Sequence, residues 1–171
     1  MESMRTILVF ALVRGLLLPA LNAQEGEIPN RLIDYPGFMA AAGEVRELRA
    51  KRRLTEEQFI AMSKQEGTIV LDARSPEKYR QMHIEGAVNL NFSDISEGPL
   101  EKVIPSRETR ILIYCNNNFE NAPRPFPTKQ ARASLNIPTF ITLYVYGYRN
   151  VYELGPVVDP ATSRLTFSRA N

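Results

Sequence analysis

The sequence predicts an α/β fold in which a parallel sheet is covered by helices on both faces. First, predicted strands and helices alternate along the chain. Second, the clearest strands, residues 68–71 and 110–115, are compact apolar runs, which is typical of strands buried on both faces of a sheet. Third, residues 24–171 are enough for one domain with a sizeable core, and the apolar content of 44% is ordinary for a soluble globular protein.

The first 23 residues have the pattern of a secretory signal peptide. Arg5 supplies a basic start, residues 7–20 are apolar except for Arg14, and Ala23 precedes the polar stretch "QEGE". We therefore expect cleavage after Ala23 and a periplasmic or secreted mature protein that is not held at the membrane. An uncleaved anchor is the rival interpretation, but the apolar stretch is short for a span of about 20 residues.

Residues 31–53 are predicted to form an arm that is ordered against the domain. The stretch from Met39 onward is rich in helix formers, and its charges crowd toward the end, as they do at a helix C-terminus. Tyr35, Phe38, Met39 and Leu48 are spaced so that they could form one apolar face. This face is expected to pack against the domain, or alternatively to make a dimer contact.

Two short helices are predicted from their capping residues. Thr55 followed by Gln58 forms the capping-box pattern and starts a helix through about Ser63. Ser75 and Pro76 start another, with serine as the cap and proline at the first helical position. Each helix lies next to a predicted strand, which fits the alternating pattern.

The second half of the chain continues this alternation. Further strands are predicted from Ala87 ("AVNLNF") and from Asn150 ("NVYEL"). Residues 129–146 are predicted to be helical with an interruption at Pro138, which cannot donate a backbone hydrogen bond inside a helix, and with Gly147 as the stop. The resulting division is a signal peptide (1–23), a helical arm (24–53), an α/β domain (54–158) and a C-terminal tail (159–171).

Composition excludes several function classes. The formal net charge of +2 is too small to indicate a nucleic-acid or membrane partner. The chain has one cysteine and one histidine, so an intramolecular disulfide is impossible and a zinc site is improbable. We therefore expect neither a metal nor a cofactor.

The lone cysteine, Cys115, ends a predicted buried strand. In parallel sheets, reactive sites lie beyond the carboxyl ends of the strands, so this position favours a reactive thiol over a buried apolar cysteine. Asparagines in the loop that follows could curve the backbone around an anion, and either Asn117 or Asn118 is expected to have a positive φ. The candidate substrate-binding residues are Asn116, Asn117, Asn118, Phe119, Asn121, Arg124 and Lys129.

The segment "VLDARSPEKYRQMHIEGAVNLNF" resembles the first signature of rhodanese-like domains, and the resemblance extends over about residues 54–156. It implies a rhodanese-like fold with Cys115 as the catalytic cysteine, which carries a persulfide in the sulfurtransferases of that family. It also implies structural roles for Asp72, Arg74, His83 and Gly86. The partners it implies are a small sulfur-containing anion and a sulfur acceptor.

The loop after Cys115 departs from the family pattern. Sulfurtransferases of the family commonly have Cys-x-x-Gly-x-Arg-Ser, whereas here residues 116–122 contain no glycine and the first arginine is Arg124. The main hypothesis is a sulfurtransferase or sulfur carrier. The alternative is a catalytically silent module that binds a partner protein or a small anion. A phosphatase-like or redox role is disfavoured by the missing Cys-x5-Arg spacing and by the absence of a second cysteine.

Overall fold

The computed structural model describes residues 30–170, so the predicted signal peptide lies outside the described residues. The strands are β1 (Arg53–Leu54), β2 (Thr68–Asp72), β3 (His83–Ile84), β4 (Val88–Asn89), β5 (Arg110–Tyr114), β6 (Val151–Leu154) and β7 (Phe167–Ser168). The α-helices are α1 (Tyr35–Ala50), α2 (Glu56–Ser63), α3 (Pro76–Gln81), α4 (Glu97–Val103) and α5 (Asn136–Val145). Short 3-10 turns occur at Phe92–Asp94, Asn116–Asn118 and Ala131–Ala133.

Five strands form a parallel sheet in the order β1-β6-β5-β2-β4. Strand β5 is central, with Ile113 paired to Leu71 of β2 on one side and to Glu153 of β6 on the other. The carboxyl ends of all five strands therefore meet at one edge of the sheet. The predicted α/β fold with a parallel sheet is confirmed.

The residues of β5 alternate between two buried faces. Ile111 and Ile113 pack in a cluster with residues of α1, α4 and α5, whereas Leu112 and Tyr114 pack in a second cluster that includes Phe59 of α2. These four residues of β5 are at most 1% exposed. This explains the uninterrupted apolar run, and it confirms that helices cover both faces.

Helix α1 packs on the domain, but of the four predicted residues only Leu48 packs against the core cluster. Asp34 accepts a hydrogen bond from the Gly37 N–H at 2.8 Å and caps the helix, which therefore begins at Tyr35 rather than near Met39. The helix buries Ala41 and Val45 in the cluster that contains α5. Three of the apolar residues expected to make this contact are exposed instead: Tyr35, Phe38 and Met39.

The two capping predictions are confirmed. Thr55 Oγ1 accepts from the Gln58 N–H at 3.2 Å, while Gln58 Oε1 accepts from the Thr55 N–H at 2.9 Å. Ser75 Oγ accepts from the Lys78 N–H at 3.4 Å, with Pro76 as the first residue of α3. These local interactions set where each helix starts after its strand.

The predicted helix over residues 129–146 is wrong in its first half. Helix α5 begins only at Asn136, and the segment before it contains one 3-10 turn. Pro138 lies in the first turn of α5, where its missing N–H would have no partner in any case, so it does not interrupt the helix. Gly147 has φ +89 and follows the helix, as predicted.

The C-terminal segment is part of the folded structure rather than a free tail. Strand β7 pairs antiparallel with β3, with Phe167 opposite Ile84, and Leu165 lies in the core beside them. Within residues 30–170, none of the helices has the length and apolar character needed to cross a membrane.

Candidate active site

Cys115 follows the last residue of β5 at the carboxyl edge of the sheet. Its backbone is extended (φ −145), so its side chain continues the alternation of Ile111 and Ile113 toward the face that α1 and α5 cover. The thiol sulfur lies 3.3 Å from Ser134 Oγ, within hydrogen-bonding distance. The residue is only 1% exposed, although it lines a cavity.

This cavity, named here the Cys115 cavity, has a volume of about 380 Å³. It lies between the residue after β5, the start of α5, the C-terminal part of α1 and the end of β6. Its polar and charged lining residues, besides Cys115, are Arg49, Arg53, Asn117, Asn118, Ser134, Asn136 and Glu153. The thiol is thus in a polar, positively charged setting rather than in the apolar core.

Asn118 holds the backbone around Cys115 in place. Its Oδ1 accepts hydrogen bonds from the Cys115 N–H at 2.9 Å and from Asn136 Nδ2 at 3.1 Å. Its Nδ2 donates to the carbonyls of Leu154 at 2.8 Å and of Pro156 at 3.2 Å. One buried side chain therefore joins the end of β5, the start of α5 and the end of β6.

Asn117 closes the loop from its outer side. Its side chain donates to the Lys129 carbonyl at 2.7 Å and accepts from the Lys129 N–H at 3.1 Å. These paired bonds bring the distant end of the loop back beside the cavity. Lys129 itself lines a different cavity, so its charge is not part of the Cys115 cavity.

The predicted positive φ at Asn117 or Asn118 is wrong. Both residues belong to a right-handed 3-10 turn, which reverses the chain with ordinary negative φ values. Among the described non-glycine residues, the left-handed conformation occurs only at Asn121, with φ 57. The loop therefore curves back through the turn itself and not through a left-handed residue beside the thiol.

The neighbouring cavity, of about 400 Å³, is lined in part by residues that follow the carboxyl ends of β2 and β4. Asn116, Arg74, Lys78 and Lys129 are among its lining residues. Asn116 is 4% exposed, and its Oδ1 has no hydrogen-bond partner within residues 30–170. The turn after Cys115 thus separates two cavities, and only the second contains the predicted binding residues Asn116 and Lys129.

Three other predicted binding residues lie outside both cavities. Phe119 is buried in the apolar cluster, with its ring 4.1 Å from that of Phe126. Asn121 is on the surface, where its Nδ2 donates to Asp159 at 2.8 Å. Arg124 lines a separate groove. Phe119 and Asn121 therefore shape the loop, and none of the three contacts the thiol.

Glu153 and two arginines form a charged group within the Cys115 cavity. Glu153 is 1% exposed, and its carboxylate is bound by Arg49 at 2.8 and 3.1 Å and by Arg53 Nε at 3.1 Å. Arg53 Nη2 also donates to the Gly155 carbonyl at 2.8 Å. Burial raises the pKa of Glu153, and the charges and hydrogen bonds of the two arginines oppose that rise.

Asp72 and Arg74 form a buried ion pair that faces away from the thiol. Arg74 Nε donates to Asp72 Oδ1 at 2.9 Å, and Nη2 donates to Oδ2 at 2.5 Å. Burial alone would lower the pKa of Arg74, but the hydrogen bonds and charge of Asp72 raise it. Tyr114 donates its hydroxyl to Asp72 at 2.5 Å, and burial and this carboxylate hold the pKa of Tyr114 well above its usual value.

Arg74 connects this pair to the loop that follows Cys115. It donates to the Pro125 carbonyl at 2.9 Å and to the Met82 carbonyl at 2.8 Å, and its guanidinium lies 4.4 Å from the centre of the Phe126 ring. Every one of these contacts is internal to the protein. These contacts support the structural role that the resemblance implied for the pair, which stays a prediction.

His83 and Gly86 also have structural surroundings. His83 stacks on Tyr79 with ring centroids 3.8 Å apart, and its Nδ1 lies 2.8 Å from the Tyr79 carbonyl. Gly86 has φ +78 in the turn before β4, a conformation that side chains disfavour. Neither residue lines the Cys115 cavity.

The comparisons with known proteins agree with this architecture. The family model described as "Rhodanese-like domain" matches residues 55–154, more than half of the chain. This chain belongs to the rhodanese-like domain family. The predicted resemblance is therefore confirmed, and its extent agrees with the match to within a few residues.

A curated relative matches over a shorter region. Thiosulfate sulfurtransferase PspE from Escherichia coli (strain K12) is 33% identical over 46 residues, which is 27% of this chain and 43% of that protein. The match thus spans less than half the length of the relative. Its activity is a basis for a proposal about this chain.

Solved structures are also similar. The BH2092 protein from Bacillus halodurans is 22% identical, covers 71% of this chain and 77% of its own, and has a TM-score of 0.48. A structure described as rhodanese with anions from E. coli is 20% identical, covers 60% of this chain and 99% of its own, and has a TM-score of 0.40.

The sequence interpretation missed five of the polar and charged residues that line the cavity: Arg49, Arg53, Ser134, Asn136 and Glu153. Arg49 and Arg53 were assigned to the arm, and Ser134 to a helix that does not exist at that position. Glu153 offered a signal, because a carboxylate inside the apolar strand "VYEL" needs a partner. The partner itself could not be found, since Arg49 is 104 residues away in the sequence.

Proposed function

We propose that this protein is a sulfurtransferase or sulfur carrier that forms a persulfide on Cys115. The observation that carries the proposal is the position of the thiol: it follows the central strand, lies beside the Ser134 hydroxyl and lines a cavity with two arginines. Membership of the rhodanese-like family and the similarity to a thiosulfate sulfurtransferase support it.

The chemistry requires a thiolate and a sulfane sulfur donor such as thiosulfate. The Cys115 thiol first releases its proton to solvent, and the thiolate attacks the outer sulfur of the donor. A new S–S bond forms on Cys115 while the S–S bond of thiosulfate breaks, and sulfite leaves with the bonding electron pair. An acceptor nucleophile then attacks the outer persulfide sulfur, and Cys115 leaves as the thiolate.

Ser134 and the two arginines are the cavity groups that can interact with a sulfur anion. A hydroxyl 3.3 Å from the sulfur can donate a hydrogen bond to a thiolate or to a persulfide. The arginines lower the free energy of a negative charge in the cavity. Ser134 is therefore assigned the role of a donor to the sulfur, and not of a base.

A second candidate function is a catalytically silent module that binds a partner or a small anion. Two observations favour it. Cys115 is only 1% exposed, and the glycine and arginine that the family's sulfurtransferases commonly have after the cysteine are missing from this loop. In that case the cavity would serve binding alone, and the thiol would be unreactive.

Mass spectrometry after incubation with thiosulfate or polysulfide separates these two functions. We expect the wild-type protein to gain the mass of a sulfur atom on Cys115, with loss of the added mass on reduction. Cys115→Ser is the matched control, because it replaces one atom and leaves the strand packing unchanged. It should gain no sulfur while keeping the wild-type circular dichroism spectrum. A wild-type thiol that gains no sulfur and resists alkylation would support the silent module.

We also propose that the protein is exported, on the basis of residues 1–23. The mature chain is expected to begin at or near Gln24 in a periplasmic or extracellular compartment. N-terminal sequencing of the native protein tests this directly. Recovery of soluble cytoplasmic protein that still begins at Met1 would contradict export without affecting the proposed chemistry.

A further inference from the structure

The Cys115 cavity contains two arginines that come from outside the family-matched region. Arg49 belongs to α1 and Arg53 to β1, both of which precede the match at residues 55–154. Their side chains are 29% and 53% exposed, so solvent and a small ligand can reach them. The site around the thiol is therefore completed by the N-terminal arm.

Glu153 fixes the position of both guanidinium groups. The carboxylate is almost fully buried and contacts Arg49 at 2.8 Å and Arg53 at 3.1 Å. Two arginine side chains that one carboxylate already holds lose much less conformational freedom when a ligand binds than two solvated arginine side chains would. Glu153 thus acts as a positioning residue rather than as a group that touches the substrate.

The charge of this group indicates the kind of ligand. Arg49, Arg53 and Glu153 are the charged side chains that line the cavity, which leaves one net positive charge. Within residues 30–170, the Nη1 groups of both arginines have no hydrogen-bond partner. Guanidinium N–H groups bind oxyanions through parallel hydrogen bonds, which a neutral ligand cannot match.

We infer that Arg49 and Arg53 bind the oxyanion group of the sulfur donor and orient its outer sulfur toward Cys115, with Glu153 holding the arginines in place. This inference rests on the proposed sulfur transfer. It adds the residues that recognise the oxyanion of the donor, which come in part from outside the family-matched region. It also gives the N-terminal arm a direct role in the site.

The test compares two donors with and without the arginines. The rate of persulfide formation on Cys115 is measured against thiosulfate concentration, and again with polysulfide, which carries no oxyanion. In Arg49→Gln/Arg53→Gln, the thiosulfate concentration that gives half the maximum rate should rise by about tenfold or more, because hydrogen bonds between the charged guanidinium groups and the oxyanion are lost. The maximum rate and the reaction with polysulfide should change much less.

Four further variants control the result. Arg46→Gln removes an exposed arginine of the same helix (83% exposed side chain) and should behave as wild type. Arg49→Gln/Arg53→Gln/Glu153→Gln leaves no buried unpaired carboxylate, so it keeps the test valid if the double variant fails to fold. Glu153→Gln alone should raise the thiosulfate concentration at half the maximum rate by less than the double glutamine variant does. Arg49→Lys/Arg53→Lys should bind thiosulfate more tightly than the double glutamine variant.

The outcomes separate this inference from the proposed function. If the variants lacking both arginines respond to thiosulfate as the wild type does, the inference is wrong while sulfur transfer stands. If no donor places sulfur on wild-type Cys115, the proposed function is wrong. In that case, binding is measured as the rise in melting temperature when thiosulfate is added. The rise should occur in the wild type and be lost in the triple variant. An equal rise in both proteins would overturn the inference.

Discussion

Asp72→Ala should destabilise the protein strongly without touching the Cys115 cavity. In the native structure, the Asp72 carboxylate is completely buried and accepts hydrogen bonds from Arg74 and from the Tyr114 hydroxyl. Alanine leaves the Arg74 guanidinium, with a side chain 1% exposed, without its counter-charge. Removal of one partner from a buried ion pair costs about 3–5 kcal/mol, a large part of the roughly 5–15 kcal/mol that stabilises a typical domain.

Urea unfolding followed by circular dichroism measures this loss as a change in the free energy of unfolding. Glu77→Ala is the matched control, since Glu77 has a 68% exposed side chain and pairs with Lys78 at 3.5 Å on the surface. It should cost about 1 kcal/mol or less. If Asp72→Ala also loses less than about 1 kcal/mol, then Arg74 is not held as a buried charge, and the structural role of the pair is refuted.

Three further predictions test other parts of the structure by the same measurement. Asn118→Ala should cost about 1–3 kcal/mol, because the Cys115 N–H and other buried groups lose their partner; a neutral effect would contradict its connecting role. Asn121→Gly should be tolerated at φ 57, whereas Asn121→Val should cost about 1–3 kcal/mol through backbone strain; equal stability of the two variants would argue against the left-handed conformation. Burial raises the pKa of Glu153, so the native state binds the proton of this carboxyl more tightly than the unfolded chain does. The contribution of Glu153 to the free energy of unfolding therefore falls as the pH rises from about 4.5, the ordinary pKa of the group, through its raised pKa in the native state. Glu153→Gln should remove this fall, so that the stability of the wild type relative to the variant decreases as the pH rises above about 4.5; an increase would contradict the direction.

Much of the fold could be predicted because local patterns carry it. The strand runs at residues 68–71 and 110–115 are apolar on both faces, and β2 and β5 form there. The caps at Thr55 and Ser75 act within three residues, so their geometry depends little on the rest of the chain. The position of Cys115 at the edge of the sheet followed from the same reasoning.

The loop after Cys115 shows where local reasoning fails. Residues 129–135 contain good helix formers, but the chain there must return from Pro125, which Arg74 holds, to Lys129, which Asn117 holds. These tertiary contacts outweigh helix propensity, so α5 begins only at Asn136. Phe119 in the same loop lies in the core, where its ring packs on Phe126, rather than in a cavity.

The sequence by itself determined the parallel α/β architecture, the family and the cysteine at the end of the central strand. Only the tertiary structure decided what surrounds that cysteine. Local periodicity describes which face of an element is buried, but it does not specify which distant charges share a cavity. Arg49 reaches Glu153 across 104 residues because α1 packs on the sheet beside β6, and this packing brings the positive charge of the arm to the thiol.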